Sequence, residues 1–169
     1  MRKIEVVPYQ ENWRNLYHTE EQLLRNVLGE QLSQIHHIGS TSIPRMMAKP
    51  IIDILIEVNN IDKVDSFNHI FIKIGYEPKG ENGIKNRRYF QKGGNDRTHH
   101  VHIFPAGHSE VTRHLAFRDY LIAHPTEAKR YEELKRKLAS QYIHNPNLYS
   151  EGKNELVKEL DKKAKKWYE

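Results

Sequence analysis

Residues 51–58, IIDILIEV, constrain the fold most strongly, because they are rich in β-branched residues and apolar on both faces. Such a run is typical of a strand that other elements cover on two sides, so it predicts a central strand. Asp53 lies within the run, between Ile52 and Ile54. A buried carboxylate needs a cation, hydrogen-bond donors or a cleft, so Asp53 is either a functional group or half of an ordinary ion pair. The candidate partners for that ion pair are Lys49, Arg87 and Arg88.

A turn of small residues, Gly39-Ser40-Thr41, precedes this strand and follows an apolar run that ends at Ile38. Residues 42–47 are predicted to form one or two helical turns after it. Backbone N–H groups at such a turn favour phosphate, and the hydroxyls of Ser40 and Thr41 add donors. The competing interpretation is that these residues only cap the helix. Lys49 and Arg88 are further candidate phosphate ligands, or else solubilising charges.

Strand alternation predicts that Asp53, Leu55 and Glu57 share one face of the central strand. A two-metal site for phosphoryl transfer needs two acids close together, and residues two apart on a strand meet that need. Leu55 occupies the position where the second acid is expected. Glu57 is about 13 Å from Asp53 along a strand and cannot substitute for it.

A predicted hairpin carries the sequence THHVH, in which His100 and His102 share a strand face. Two imidazoles at this spacing can ligate one ion. If their strand adjoins Asp53, a mixed histidine and carboxylate site becomes possible, better suited to Mn, Zn or Fe than to Mg. The alternative is a half-exposed polar strand in a chain that has 11 histidines.

Composition narrows the class of protein further. The chain has 169 residues, which predicts a single domain over 1–169, and its net charge of +5 suits anionic partners. It has no cysteine, so thiolate metal sites and a cysteine nucleophile are excluded. No signal peptide or membrane span is evident, which predicts a cytoplasmic protein without a membrane partner. The basic last helix lacks aromatic interleaving, so nucleic acid is not the expected partner.

The apolar spacing predicts an α+β fold, with a small mixed β-sheet flanked by helices and a helical C-terminal third. Gly29 and Gly75 are predicted to end two of the helices, and Thr126 to cap another. The other predicted elements are an edge strand or ordered arm at 4–7, helices over 13–28 and 64–74, a strand over 33–38, a hairpin of strands over 87–92 and 98–104, and three helices after residue 114.

These segments resemble the GrpB family of small bacterial proteins, which looks like an offshoot of the nucleotidyltransferase superfamily. The resemblance covers almost the whole chain and rests on VPYQENW, HIGSTSIPRMMAKPIIDI, THHVHIF and FRDYL. It implies a nucleotidyltransferase-like core, in which a Gly-Ser turn holds a triphosphate and acids on the next strands hold Mg²⁺. Gly39 and Ser40 match that turn, and Asp53 matches the first acid. The chain departs from the pattern at Leu55, the second acid, and at Arg45, where the family favours glycine.

Together these features give a first hypothesis of function and two alternatives. The first is a metal-dependent nucleotidyl or phosphoryl transferase, with nucleotide phosphates on the Gly39-Ser40-Thr41 turn and Mg or Mn, with Zn possible, on Asp53. The second is a catalytically degenerate module that binds a nucleotide or another phosphorylated small molecule. The third is a single-metal hydrolase that uses Asp53, His100 and His102. The sequence does not specify the acceptor, the nucleotide base or the oligomeric state.

Overall fold

The computed structural model describes residues 3–169, which form a five-stranded mixed sheet flanked by helices, as predicted. The strand order is β1-β2-β5-β4-β3. Only the β2–β5 pair is parallel, and the other three pairs are antiparallel. The strands are β1 Leu32–Ile38, β2 Ile52–Val58, β3 Tyr76–Pro78, β4 Arg88–Lys92 and β5 His99–Pro105. The α-helices are α1 Asn12–Leu28, α2 Asn68–Lys73, α3 Ser109–Ala123, α4 Pro125–Gln141 and α5 Pro146–Tyr168.

Strand β2 lies between β1 and β5, and its two faces enter different apolar clusters. Ile54 and Ile56 pack in the cluster that also contains Trp13 of α1. Leu55 packs on the opposite face with Phe104 of β5. The predicted alternation is therefore confirmed, and Asp53 lies on the face that the C-terminal helices cover.

The segment after the Gly39-Ser40-Thr41 turn is not the helix that its sequence predicted for residues 42–47. A single 3₁₀ turn, Ser40–Ser42, is followed by Ile43 in an extended conformation with φ −99° and ψ 115°. Pro44 explains the difference, because a proline disfavours the helical conformation of the residue before it. Arg45 then takes a positive φ of 70°, so the chain turns back toward β2 instead of continuing a helix.

Two smaller differences concern strand β3 and the start of α4. The sequence did not predict β3, which is a three-residue strand that ends in proline and pairs with β4 at the sheet edge. Thr126 was expected to cap the helix that begins α4, but Pro125 is already its first residue, a position that proline favours. Thr126 therefore lies inside the helix.

The three C-terminal helices and the N-terminal arm enclose one side of the sheet. Ile43 and Met46 pack against side chains of α3, α4 and α5 in a single apolar cluster. The arm is ordered, since Val7 forms an isolated bridge with Ala48 and the Ile4 N–H donates to the Ile143 carbonyl at 2.7 Å. Among residues 3–169, no helix combines the length and the apolar character that a membrane span requires.

Candidate functional site

A cavity of about 170 Å³ lies where the Gly39 turn, the starts of β2 and β5, and helices α4 and α5 meet. Its lining includes six of the predicted site residues, and four polar side chains that the sequence analysis did not propose as ligands. Two of these four are lysines, so with Lys49 the cavity has three, and we call it the lysine cavity. The six are Gly39, Ser40, Thr41, Lys49, Asp53 and His100, and the four are Tyr131, Lys135, Tyr149 and Lys153.

Gly39 allows the turn to lie directly against Asp53. Its φ is 73° and its ψ −175°, a conformation that is essentially restricted to glycine. A Cβ atom at this position would lie 2.7 Å from Asp53 Oδ2. The contact joins the two halves of the predicted motif, so turn and carboxylate form one structural unit.

Lys135 of α4 is the most deeply buried charged residue of the cavity, with 2% of its surface exposed. Its Nζ donates to Ser40 Oγ at 2.8 Å and to the Met47 carbonyl at 2.7 Å. Burial lowers the pKa of Lys135 to about 7, and the charge of Lys153 acts in the same direction. Its two hydrogen-bond acceptors are neutral oxygens, which compensate only weakly for a buried positive charge.

Lys153 and Lys49 lie on the Tyr149 ring, with their Nζ atoms 4.6 Å and 5.0 Å from its centroid. Burial is the largest cause that lowers the pKa of Lys153, to about 8, and repulsion from the Lys49 charge lowers it further. The negative charge of Asp53 acts in the opposite direction. Each ammonium group therefore disfavours the protonated form of its neighbours. An anion that entered the cavity would relieve this repulsion and raise both lowered pKa values.

Asp53 lies beside two histidines of the adjacent strand β5. Its Oδ1 is 3.3 Å from His100 Nδ1 and 3.7 Å from His102 Nε2. Burial acts to raise the pKa of Asp53, but the interactions with the two adjacent imidazole rings outweigh it and hold the pKa well below its usual range. Arg87 Nη1 lies 3.3 Å from His102 Nδ1, so this ring nitrogen accepts and Nε2 carries the proton toward Asp53.

The predicted mixed metal site is brought together only in part. His100 and His102 both face Asp53, yet within residues 3–169 no group of three or more histidine and acidic side chains is arranged to hold a metal ion. Leu55 is fully buried in an apolar cluster. Glu57 is 3.0 Å from His36 Nε2 in an ion pair of its own. Asp53 is thus the one carboxylate among the cavity-lining residues.

Two predicted phosphate ligands are engaged elsewhere. The Thr41 hydroxyl lies 2.9 Å from His37 Nε2 and donates to the Ile51 carbonyl at 3.4 Å, so its donor is used within the protein. Arg88 does not line the cavity, and its Nε donates to Asp65 at 2.8 Å. It shares a strand face with Phe90, which packs in the cluster on the far side of the sheet from Asp53.

The lysines that the sequence analysis missed carry a recognisable local pattern. Tyr131 and Lys135 are four residues apart on α4, and Tyr149 and Lys153 are four residues apart on α5. Residues at this spacing are neighbours on a helix surface, and each Nζ lies within 5 Å of its tyrosine ring, at 4.8 Å and 4.6 Å. A repeated tyrosine–lysine pair on consecutive helices could have indicated these residues.

The fold is that of the nucleotidyltransferases. The chain superimposes on the Cid1 poly(U) polymerase with a TM-score of 0.50 and 11% identity, over 77% of this chain and 45% of that one. A family model described as GrpB protein matches residues 3–163. The chain therefore belongs to the GrpB family.

Individual relatives agree with this assignment. A crystal structure of the conserved protein GrpB from Enterococcus faecalis has a TM-score of 0.94 and 43% identity, over 98% of this chain and 100% of that one. UPF0157 protein YqkA of Bacillus subtilis is 52% identical over 98% of this chain, but the match spans only 48% of that protein's length. The glutamate-rich protein GrpB of Alkalihalophilus pseudofirmus is 36% identical over 92% of both chains.

Proposed function

We propose that this chain binds a nucleoside triphosphate, or another small molecule with adjoining phosphates, in the lysine cavity. The observation that carries the proposal is the arrangement of Lys49, Lys135 and Lys153 around one cavity beside Ser40. Buried lysines with lowered pKa values are costly to the protein without a ligand. Several adjoining negative charges would restore their protonation and accept their hydrogen bonds.

Two further observations support a nucleotide as the first ligand to test. One crystal structure of the Cid1 poly(U) polymerase has MgGTP bound. In this chain, Ser40 Oγ already accepts a hydrogen bond from Lys135, so the hydroxyl proton remains available as a donor to a phosphate oxygen. The cavity of about 170 Å³ is small, which suits phosphate groups better than a whole nucleotide.

Replacing Lys153 by methionine is expected to weaken binding of tripolyphosphate by at least about tenfold, because one charge-assisted contact is lost. Isothermal titration with tripolyphosphate, ATP, CTP, GTP and UTP, all without metal, measures this. Lys158→Met is the matched control, since Lys158 is exposed on the same helix and does not line the cavity. Equal affinity of the two variants, or no binding to the unmodified chain, would contradict the proposal.

A second candidate function is metal-dependent nucleotidyl or phosphoryl transfer from the bound triphosphate. Asp53 favours it, as an ionised carboxylate at the edge of a cavity suited to phosphates. Mg²⁺ is often held by one or two carboxylates together with substrate phosphates, and Mn²⁺ accepts the same oxygen ligands, so Asp53 would hold such an ion. A cation there would neutralise developing charge on the phosphates. Zn²⁺ would instead favour the histidine side, in the single-metal hydrolase arrangement with His100 and His102.

Asp53→Asn is expected to abolish the gain in ATP affinity that Mg²⁺ or Mn²⁺ provides, and any turnover of ATP. Metal-free binding of tripolyphosphate should persist or strengthen, because a negative charge next to the phosphates is removed. Titration with and without metal, and product analysis by anion exchange, measure the two effects. Binding without turnover in the unmodified chain supports the catalytically degenerate module, whereas turnover that survives Asp53→Asn excludes Asp53 as the metal ligand.

A further inference from the structure

A second, larger cleft adjoins the lysine cavity. It has a volume of about 590 Å³ and shares Lys49 and Ile51 with the cavity, so the two spaces adjoin at the segment that enters β2. The N-terminal arm, the β4–β5 turn and the start of α5 form its other walls. We call it the Arg97 cleft, after the arginine that the β4–β5 turn contributes to it.

The walls of the Arg97 cleft are held by backbone hydrogen bonds rather than by side chains alone. In the β4–β5 turn, the Asp96 N–H donates to the Gly93 carbonyl at 3.0 Å and the Thr98 N–H to the Lys92 carbonyl at 2.9 Å. A Cβ on Gly93 would lie 2.5 Å from the Asp96 carbonyl oxygen, which shows how tightly the turn is closed. Arg97 is therefore presented from a fixed turn, opposite the arm that the Ile4 bond anchors.

Arg97 is partly buried, and one of its donors is buried without a partner. Its Nε is inaccessible to solvent and has no hydrogen-bond partner, and its guanidinium makes no hydrogen bond or ion pair with any side chain within residues 3–169. A buried donor without a partner is costly, and native structures rarely retain one. Two other arginines with little solvent exposure differ, since Arg87, which is buried, and Arg88, which is partly buried, are both bonded.

We propose that the Arg97 cleft binds the carboxylate or phosphate group of a second small molecule, which lies beside the ligand of the lysine cavity. A guanidinium offers a planar pair of donors that matches either oxyanion. Lys3 and Lys49 add positive charge to the walls, against Glu5 and Asp96. In the transfer reaction given above as the second candidate function, this cleft would hold the acceptor; that assignment, unlike oxyanion binding itself, rests on the proposed function.

The test follows the Arg97 Nε–H resonance of the isotopically labelled full chain during titration with sodium citrate and, separately, sodium phosphate. Sodium chloride at matched ionic strength is the reference. The resonance is expected to shift and saturate with at least one of the two anions and not with chloride. A saturable shift with citrate alone indicates a carboxylate ligand, and a saturable shift with phosphate alone indicates a phosphoryl ligand. The absence of a saturable shift with both overturns the proposal.

Arg97→Gln is expected to weaken binding of the active anion by about tenfold or more, because a charge-assisted pair of hydrogen bonds is lost. Arg14→Gln is the matched control, since Arg14 is exposed on α1. Equal affinities of the two variants would also overturn the proposal. The Arg97 shift should persist in a Lys135→Met background, so a failure of the lysine cavity to bind tripolyphosphate is distinguishable from a failure of the Arg97 cleft.

Discussion

Gly39→Ala is expected to lower the free energy of unfolding by about 3 kcal/mol and to abolish binding of tripolyphosphate. The new methyl group would lie 2.7 Å from Asp53 Oδ2, and alanine at a φ of 73° with extended ψ is strained in any surroundings. Both costs act at the point where the turn contacts β2. Thermal and urea denaturation measure the loss of stability, and isothermal titration measures the loss of binding.

Gly94→Ala is the matched control for this prediction. Gly94 also has a positive φ, 58°, but a Cβ there would meet no atom within 4 Å. We expect it to cost about 1 kcal/mol, from the backbone conformation alone. The double variant Gly39→Ala with Asp53→Ala should recover part of the lost stability, because the nearest clashing oxygen is removed. Equal costs at Gly39 and Gly94 would show that the contact with Asp53 is unimportant.

Lys135→Met is expected to weaken tripolyphosphate binding by about 100-fold while it changes the stability of the protein without ligand by less than about 2 kcal/mol. Methionine removes a costly buried charge but leaves the Met47 carbonyl without its donor. Lys137→Met is the control, since Lys137 is exposed on the same helix. A large loss of stability with unchanged binding would instead make Lys135 a purely structural residue.

The pH dependence of stability gives an independent check on Lys135. Its pKa in the folded chain is about 7, below the ordinary lysine value of 10.5. Between these values the unfolded chain binds more protons than the folded chain, so stability should rise with pH. Across pH 7 to 9 the rise is up to about 1.4 kcal/mol per pH unit for each such group. The pKa of Lys153 is about 8, so this residue contributes to the rise in stability only in the upper part of the pH window. Lys135→Met should therefore remove the rise in the lower part of the window.

Local sequence patterns were sufficient to predict the main strands of the sheet and which side chains share a face of each strand. Residues 51–58 predicted the central strand because β-branched residues occupy both faces, and the structure places β2 between β1 and β5. The glycine pair at 93–94 predicted the β4–β5 hairpin, which is confirmed. Alternation put His100 and His102 on one face of their strand, since strand parity fixes this without any knowledge of packing. The parallel register of β2 and β5, which pairs Asp53 with His100, is what brings that face to Asp53.

Other features depended on contacts between distant parts of the chain. Lys135 bonds Ser40 across 95 residues of sequence, so its role exists only after α4 packs on the turn. Arg88 was a plausible phosphate ligand, but the register of β4 turns it toward Asp65 on the other side of the sheet. The prediction of helical turns over 42–47 was wrong because Pro44 disfavours the helical conformation of Ile43, the residue before it.

The structure combines a nucleotidyltransferase-like fold with an apolar residue, Leu55, at the position where the sequence analysis expected a second acid. The fold places a phosphate-sized cavity beside Asp53, while Leu55 fills an apolar cluster where a second acid would have stood. The positive charge of the site comes from α4 and α5, outside the motif that the sequence analysis emphasised. Binding of phosphates is therefore better supported by this geometry than any particular transfer reaction.

The most direct test of the lysine cavity is the proton balance of tripolyphosphate binding at pH 8, measured by titration calorimetry in two buffers of different ionisation enthalpy. Bound phosphates should raise the lowered pKa values of Lys135 and Lys153, which are about 7 and about 8. We expect uptake of about one proton for each ligand bound, and clearly less in Lys135→Met. Binding without proton uptake, or no binding at all, would contradict the account.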